Sequence, residues 1–128
     1  MLRLSYVRTI TNVLKLQNEG FRHDPSKIRI LEIGAFSGVV TTALRKLAFQ
    51  VTAQDLPLFI EDPILESHLS SIGAATIASD LRDYPLPASD QSFDIFLSCE
   101  VIEHLNFHLL RVLRDFNRVL APGDCFIS

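Results

Sequence analysis

The chain has 128 residues, of which 48% are hydrophobic and 21% charged, with a net charge of −3. That length supports one domain with a single core, and the polarity is that of an ordinary soluble globular protein. The basic residues do not gather in one run, so nothing marks a surface for nucleic-acid phosphates.

No apolar run approaches the ~18 residues that a bilayer span requires. Cys99 and Cys125 are too few and too far apart for a disulfide framework or a zinc knuckle. Each lies in an apolar stretch and reads as a small buried hydrophobe in a reducing compartment. The first twenty residues are amphipathic and not signal-like, because Arg3, Arg8, Lys15 and Glu19 interrupt the apolar positions. The expected location is the cytoplasm.

Leu2, Tyr6, Ile10, Val13, Leu14 and Leu16 recur mostly three or four apart, which predicts an N-terminal helix over residues 1–20 closed by Gly20. Residues 22–26 are polar, contain Pro25 and read as a loop. Ile28 to Ile33 is nearly all apolar, as a strand covered on both faces should be. Gly34-Ala35-Phe36-Ser37-Gly38 follows without a spacer. Val40, Ala43, Leu44 and Leu47 then stand at helical spacing, with Arg45 and Lys46 in the last turn, where the helix dipole favours cations.

The alternation continues. Phe49 to Gln54 predicts a second strand ending at Asp55, and residues 62–70 a helix. Ala74 to Ala78 predicts a short third strand ending at Asp80. Two prolines, Pro85 and Pro87, force a loop over 83–90. Phe93 to Ser98 reads as a fourth strand. A long helix is expected from about Asn106 to Leu120, with Leu109, Leu113, Phe116 and Leu120 inward and Arg111, Arg114, Asp115 and Arg118 outward. Ala121-Pro122-Gly123 stops it, and Cys125 begins a fifth strand. Strands alternating with helices imply one α/β domain with a parallel sheet.

In a doubly wound sheet the ligand sits outside the carboxyl ends of the strands. Those ends carry the unusual residues: Gly34 and Gly38 after the first strand, Asp55 after the second, Asp80 after the third, and Ser98, Cys99 and Glu100 at the fourth. Glycine lets backbone approach a ligand closely. Asp55, 21 residues beyond Gly34, stands where a carboxylate can accept hydrogen bonds from both hydroxyls of a ribose. Each feature alone has a plainer reading as a turn glycine or a helix cap. Together they point to a nucleotide, and at this stage NAD fits as well as any other.

Three blocks carry a family resemblance. Ile30-Leu31-Glu32-Ile33-Gly34-Ala35-Phe36-Ser37-Gly38 resembles motif I of class I S-adenosylmethionine-dependent methyltransferases, which place an acidic residue two positions before the first glycine. Ser79-Asp80-Leu81, Leu86-Pro87 and Ser92 to Leu105 resemble the third-strand to fourth-helix block of the type 11 and related families. Phe116-Asn117-Arg118-Val119-Leu120-Ala121-Pro122-Gly123-Asp124 is similar to their signature before strand five. The match covers residues 28–128 in the right order. It departs from the pattern at Phe36, where the family usually has a third glycine, and at Asp124, where a second is common.

The resemblance implies a Rossmann-like doubly wound sheet in three α/β/α layers, with about five strands ordered 3-2-1-4-5. Residues 1–128 would form one domain, with 28–128 as its cofactor-binding core. It also implies S-adenosylmethionine as cofactor. Gly34, Ala35 and Gly38 would lie against its methionine part, Glu32 would orient it and Asp55 would hold the ribose. Leu56 and Leu81 would flank the adenine, Asp80 would accept from the adenine amino group, and Ser98 and Glu100 would border the sulfonium. The activity implied is methyl transfer to a small-molecule acceptor.

His104 is the candidate base, since imidazole titrates near neutrality; the plainer reading is local packing. His23, His68 and His108 are given no role. No metal site is assigned, although Glu100, Glu103 and His104 offer an alternative metal-assisted O-methyltransferase reading. A second alternative is a degenerate domain, with Phe36 in cofactor space, that keeps the fold as an interaction module. The family's terminal hairpin is missing, so the chain is expected to be a C-terminally truncated fragment. Otherwise a homodimer or partner chain would cover the strand-five edge.

Overall fold

The computed structural model describes residues 4–16, 24–83, 85–98 and 109–127. Five strands are present among them: β1 (Arg29–Ile33), β2 (Gln50–Asp55), β3 (Ala75–Ala78), β4 (Phe93–Ser98) and β5 (Leu120–Ile127). All neighbours pair in parallel, in the order β3-β2-β1-β4-β5. The helices are α1 (Leu4–Leu16), α2 (Val39–Lys46), α3 (Pro57–Ile60), α4 (Pro63–Ser71) and α5 (Leu109–Val119). A 3-10 turn, Pro25–Lys27, precedes β1, capped by the Asp24 carboxylate, which accepts from Ser26 N at 2.9 Å.

Alternation along the strands divides the core between the two faces. Ile30, Val51, Ile95 and Leu97 pack with Val40 and Leu44 of α2 and Val13 of α1. On the other face Leu31, Ile33 and Phe96 meet Val112, Phe116 and Val119 of α5, and Leu86 from the loop before β4 and Phe93 at the start of β4 join the same cluster. The Phe96 and Phe116 rings stack with centroids 4.4 Å apart. A third cluster joins Ala35, Ala53, Ile60 and Leu69, seating α3 and α4 beside the glycine turn. Arg29 N and its guanidinium donate to both Asp94 oxygens at 2.8–3.0 Å, which ties β1 to β4 at their amino ends.

Three sequence expectations are corrected. The buried residues of α5 are Val112, Phe116 and Val119: Phe116 is buried as expected, whereas Leu113 is 37% exposed. Both sets have helical spacing and share Phe116, so spacing alone does not separate them. Asp115 and Arg118 do not face solvent freely: Asp115 Oδ2 accepts from Leu86 N at 2.6 Å, while Arg118 donates to Leu86 O, Ala88 O and Asp90. Strand pairing on β5 starts at Leu120 opposite Phe93, slips, and resumes with Cys125 opposite Ile95. The slip falls where Pro122 has no N–H to give a ladder.

The short helix α3 was not anticipated. Pro57 starts it at a position where the missing N–H costs nothing.

Candidate functional site

The link from β1 to α2 turns sharply, with Gly34, Phe36 and Gly38 at φ of 70°, 51° and 76°. Left-handed backbone suits glycine and strains a residue with a Cβ. Gly38 is also fixed by space, because a Cβ there would stand 3.2 Å from Leu65 and 3.3 Å from Leu69. The turn is held from β2. Gln54 O accepts from Gly34 N at 2.8 Å and Ala35 N at 3.0 Å, and its side-chain Oε1 accepts from Gly34 N at 3.2 Å. The Gln54 amide nitrogen donates to Ser79 O at 2.7 Å, which joins the tip of β2 to the chain leaving β3.

Asp55 completes the brace. Its Oδ2 accepts from Phe36 N at 2.8 Å and its Oδ1 from Leu56 N at 2.7 Å. A carboxylate offers about four lone-pair positions, so about two remain for ligand hydroxyls. Glu32, 2% exposed, lies beneath the turn and accepts from Thr41 Oγ1. Loss of hydration pushes its pKa up to about 7, against the Thr41 hydrogen bond and with help from the Asp55 charge.

Strand register puts Ile33 between Gln54 and Ser98. Ser98 is 1% exposed, and its Oγ has no hydrogen-bond partner among the described residues. Buried hydroxyls are ordinarily satisfied. Asp80, beyond β3, is paired with Arg82 at 2.7 Å, and those hydrogen bonds hold its pKa below the usual carboxylate value.

The structure therefore brings Glu32, Gly34, Ala35, Gly38, Asp55 and Leu56 into one hydrogen-bonded tip. Ser98 stands one strand away, and Asp80 and Leu81 follow the Ser79 link. The Phe36 ring, 60% exposed, packs edge-on against Phe59 with centroids 5.6 Å apart. Cys99, Glu100, Glu103, His104, His23 and His108 lie outside the described residues. Among the described residues no group of three or more His, Cys, Asp or Glu is placed to hold a metal ion, and no helix is long and apolar enough to cross a membrane.

Sequence reasoning missed Gln54 and Thr41. The signal for Gln54 was a long polar side chain on a strand otherwise buried, directly before the carboxylate.

The family model described as a methyltransferase domain, type 11, matches residues 31–128. The ubiquinone biosynthesis O-methyltransferase of Rickettsia conorii is 30% identical over 116 residues, which are 90% of this chain and 39% of that protein. The chain thus spans about two-fifths of that relative's length. Among solved structures, the DszA carbon methyltransferase superposes with a TM-score of 0.77 at 19% identity, over 95% of this chain and 34% of that one. A SAM-dependent methyltransferase from Aquifex aeolicus does so with a TM-score of 0.66 at 18% identity, over 91% and 70%. These likenesses agree with the strand order in giving a Rossmann-like methyltransferase fold. The chain belongs to the type 11 methyltransferase domain family.

Proposed function

We propose that the chain forms the cofactor-binding part of an S-adenosylmethionine-dependent methyltransferase that acts on a hydroxyl of a small molecule. The observation that carries the reading is the braced tip: a left-handed glycine turn with Asp55 bound to its backbone and Ser98 Oγ buried and unpartnered beside it. The donor set suits a nucleoside with a cationic sulfur. The spare lone pairs of Asp55 would take ribose hydroxyls, and Leu56 and Leu81 would flank the base, with Asp80 beside its amino group. Gly34, Ala35 and Gly38 would lie along the amino-acid part above Glu32, and Ser98 would donate or accept in the β1–β4 crevice. Glu100 would border the same crevice.

The cofactor supplies a methyl group activated by sulfonium. The protein's share is alignment, exclusion of water and, for a hydroxyl acceptor, removal of its proton, for which His104 is the candidate. The O-methyl acceptor class follows the Rickettsia conorii relative.

Calorimetric titration with S-adenosylhomocysteine tests the reading. Micromolar binding is expected, weakened at least tenfold by Asp55→Ala, with no heat from NADH. No heat from S-adenosylhomocysteine in a folded protein would leave only an interaction module.

A further inference from the structure

A second cavity lies against the outer side of the glycine turn. It encloses about 500 Å³ and is walled by Phe36, Leu58, Phe59, Asp62, Ile64 and His68, among others. That volume is in the range of small-molecule pockets. Gly34, Asp55, Asp80 and Ser98 do not line it. None of the residues proposed to hold the cofactor lines it.

The apolar walls are costly to leave wet. Leu58 is 81% exposed, Ile64 83% and Phe36 60%, on neighbouring segments around one hollow. The one carboxylate in the wall, Asp62, favours a positive guest. Asp62 caps α4, with Oδ2 accepting from Leu65 N at 3.1 Å, and its charge stands in the cavity wall. His68 also stands in the wall. Thr42 spends its hydroxyl proton on Gly38 O at 2.7 Å, so the 2.8 Å contact with His68 Nε2 requires the imidazole to donate.

Two aromatic rings, Phe36 and Phe59, add negative π faces. The sequence from Leu47 to Leu81 contains no Lys or Arg but has Asp55, Glu61, Asp62, Glu66 and Asp80. The charge of this segment disfavours an anionic guest.

We infer that this cavity binds a small organic ammonium with an aromatic or aliphatic body, the Asp62 carboxylate facing its charge and the Phe36–Phe59 pair its apolar part. The site is independent of the methyl donor.

The probes are phenethylammonium and its anionic counterpart phenylacetate, titrated into the ¹⁵N-labelled chain without any methyl donor. Phenethylammonium is expected to shift amides around Phe36, Phe59, Ile64 and His68 with millimolar affinity, and phenylacetate to bind at least tenfold more weakly. Asp62→Asn keeps the helix cap and removes the charge, and should weaken the amine at least fivefold. Ile64→Ser, at an exposed position, should weaken it as well and provides the test if Asp62→Asn does not fold. Saturating S-adenosylhomocysteine should leave the amine bound.

Equal binding of the two probes, unchanged affinity in both variants, no binding of the amine, or its displacement by S-adenosylhomocysteine would each overturn the inference. Because the amine titration uses no methyl donor, its result stands apart from the methyltransferase reading.

Discussion

Replacing Glu32 by Gln tests the electrostatics under the glycine turn. Glu32 is 2% exposed, with a pKa raised from 4.5 to about 7, mainly because burial removes water from its charged form. A carboxyl group with a raised folded pKa binds more protons in the native state than in the unfolded one between those two values. The stability that this group contributes is therefore full below about pH 4.5, is lost as pH rises toward 7, and is level above. At about 1.4 kcal/mol per pH unit, the loss attributable to this one group is about 3 kcal/mol.

Gln keeps an oxygen for the Thr41 hydroxyl and cannot ionise. The variant should match the parent near pH 4.5 and be more stable by up to about 3 kcal/mol at pH 8. Urea unfolding of both proteins at pH 5, 6, 7 and 8 measures the gap. Parallel pH profiles would refute the burial argument, since they would mean that Glu32 ionises in the native state as it does in the unfolded chain.

Other perturbations have opposed or additive terms. Phe36→Gly relieves a left-handed φ of 51°, worth about 1 kcal/mol. It also removes the edge contact with Phe59, worth about 0.5–1.5 kcal/mol. Net stability in thermal or urea melts should stay within about 1 kcal/mol of the parent, and a loss of about 3 kcal/mol or more would show that the ring is a core element. Asp115→Ala leaves Leu86 N without its 2.6 Å acceptor and frees Arg118 from the carboxylate. A loss of about 1–3 kcal/mol is expected, largely recovered by Asp115→Asn, which keeps an acceptor for Leu86 N. Equal stability of Asp115→Ala and parent would show that the clip on the loop is idle.

The sheet was legible because its central strands are covered on both faces. A run such as Ile30-Leu31-Glu32-Ile33 has few other homes, and the polar tips follow from where each apolar run stops. The exact rotation of α5 was not legible: stripes through Leu113 or through Val112 have the same period and share Phe116, and only the docking of the helix on the sheet buries Val112 and Val119 and leaves Leu113 37% exposed. Gly38 was found as a turn glycine, but its closeness to Leu65 and Leu69 depends on how α4 docks. Gln54 was hidden for a related reason. A polar residue on a strand is ambiguous until register puts it beside Ile33 and across from the Gly34 amide. The Asp80–Arg82 pair, two residues apart, was within reach of the sequence, and it places a cation beside the carboxylate assigned to adenine.

The hydrogen bonding at the strand tips divides into what is already satisfied and what is left open. Backbone amides of Gly34, Ala35, Phe36 and Leu56 are all bound to Gln54 or Asp55. The conformational cost of shaping the turn is therefore met on folding, before any ligand arrives, and a ligand finds a rigid surface. Asp55 takes part in that bracing with one lone pair on each oxygen, so ribose hydroxyls would add to its bonds without competing for them. Ser98 Oγ is the exception, the buried side-chain polar atom without a partner among the described residues. An unmade bond of this kind costs about 1–3 kcal/mol. A ligand that completed it would gain about that much.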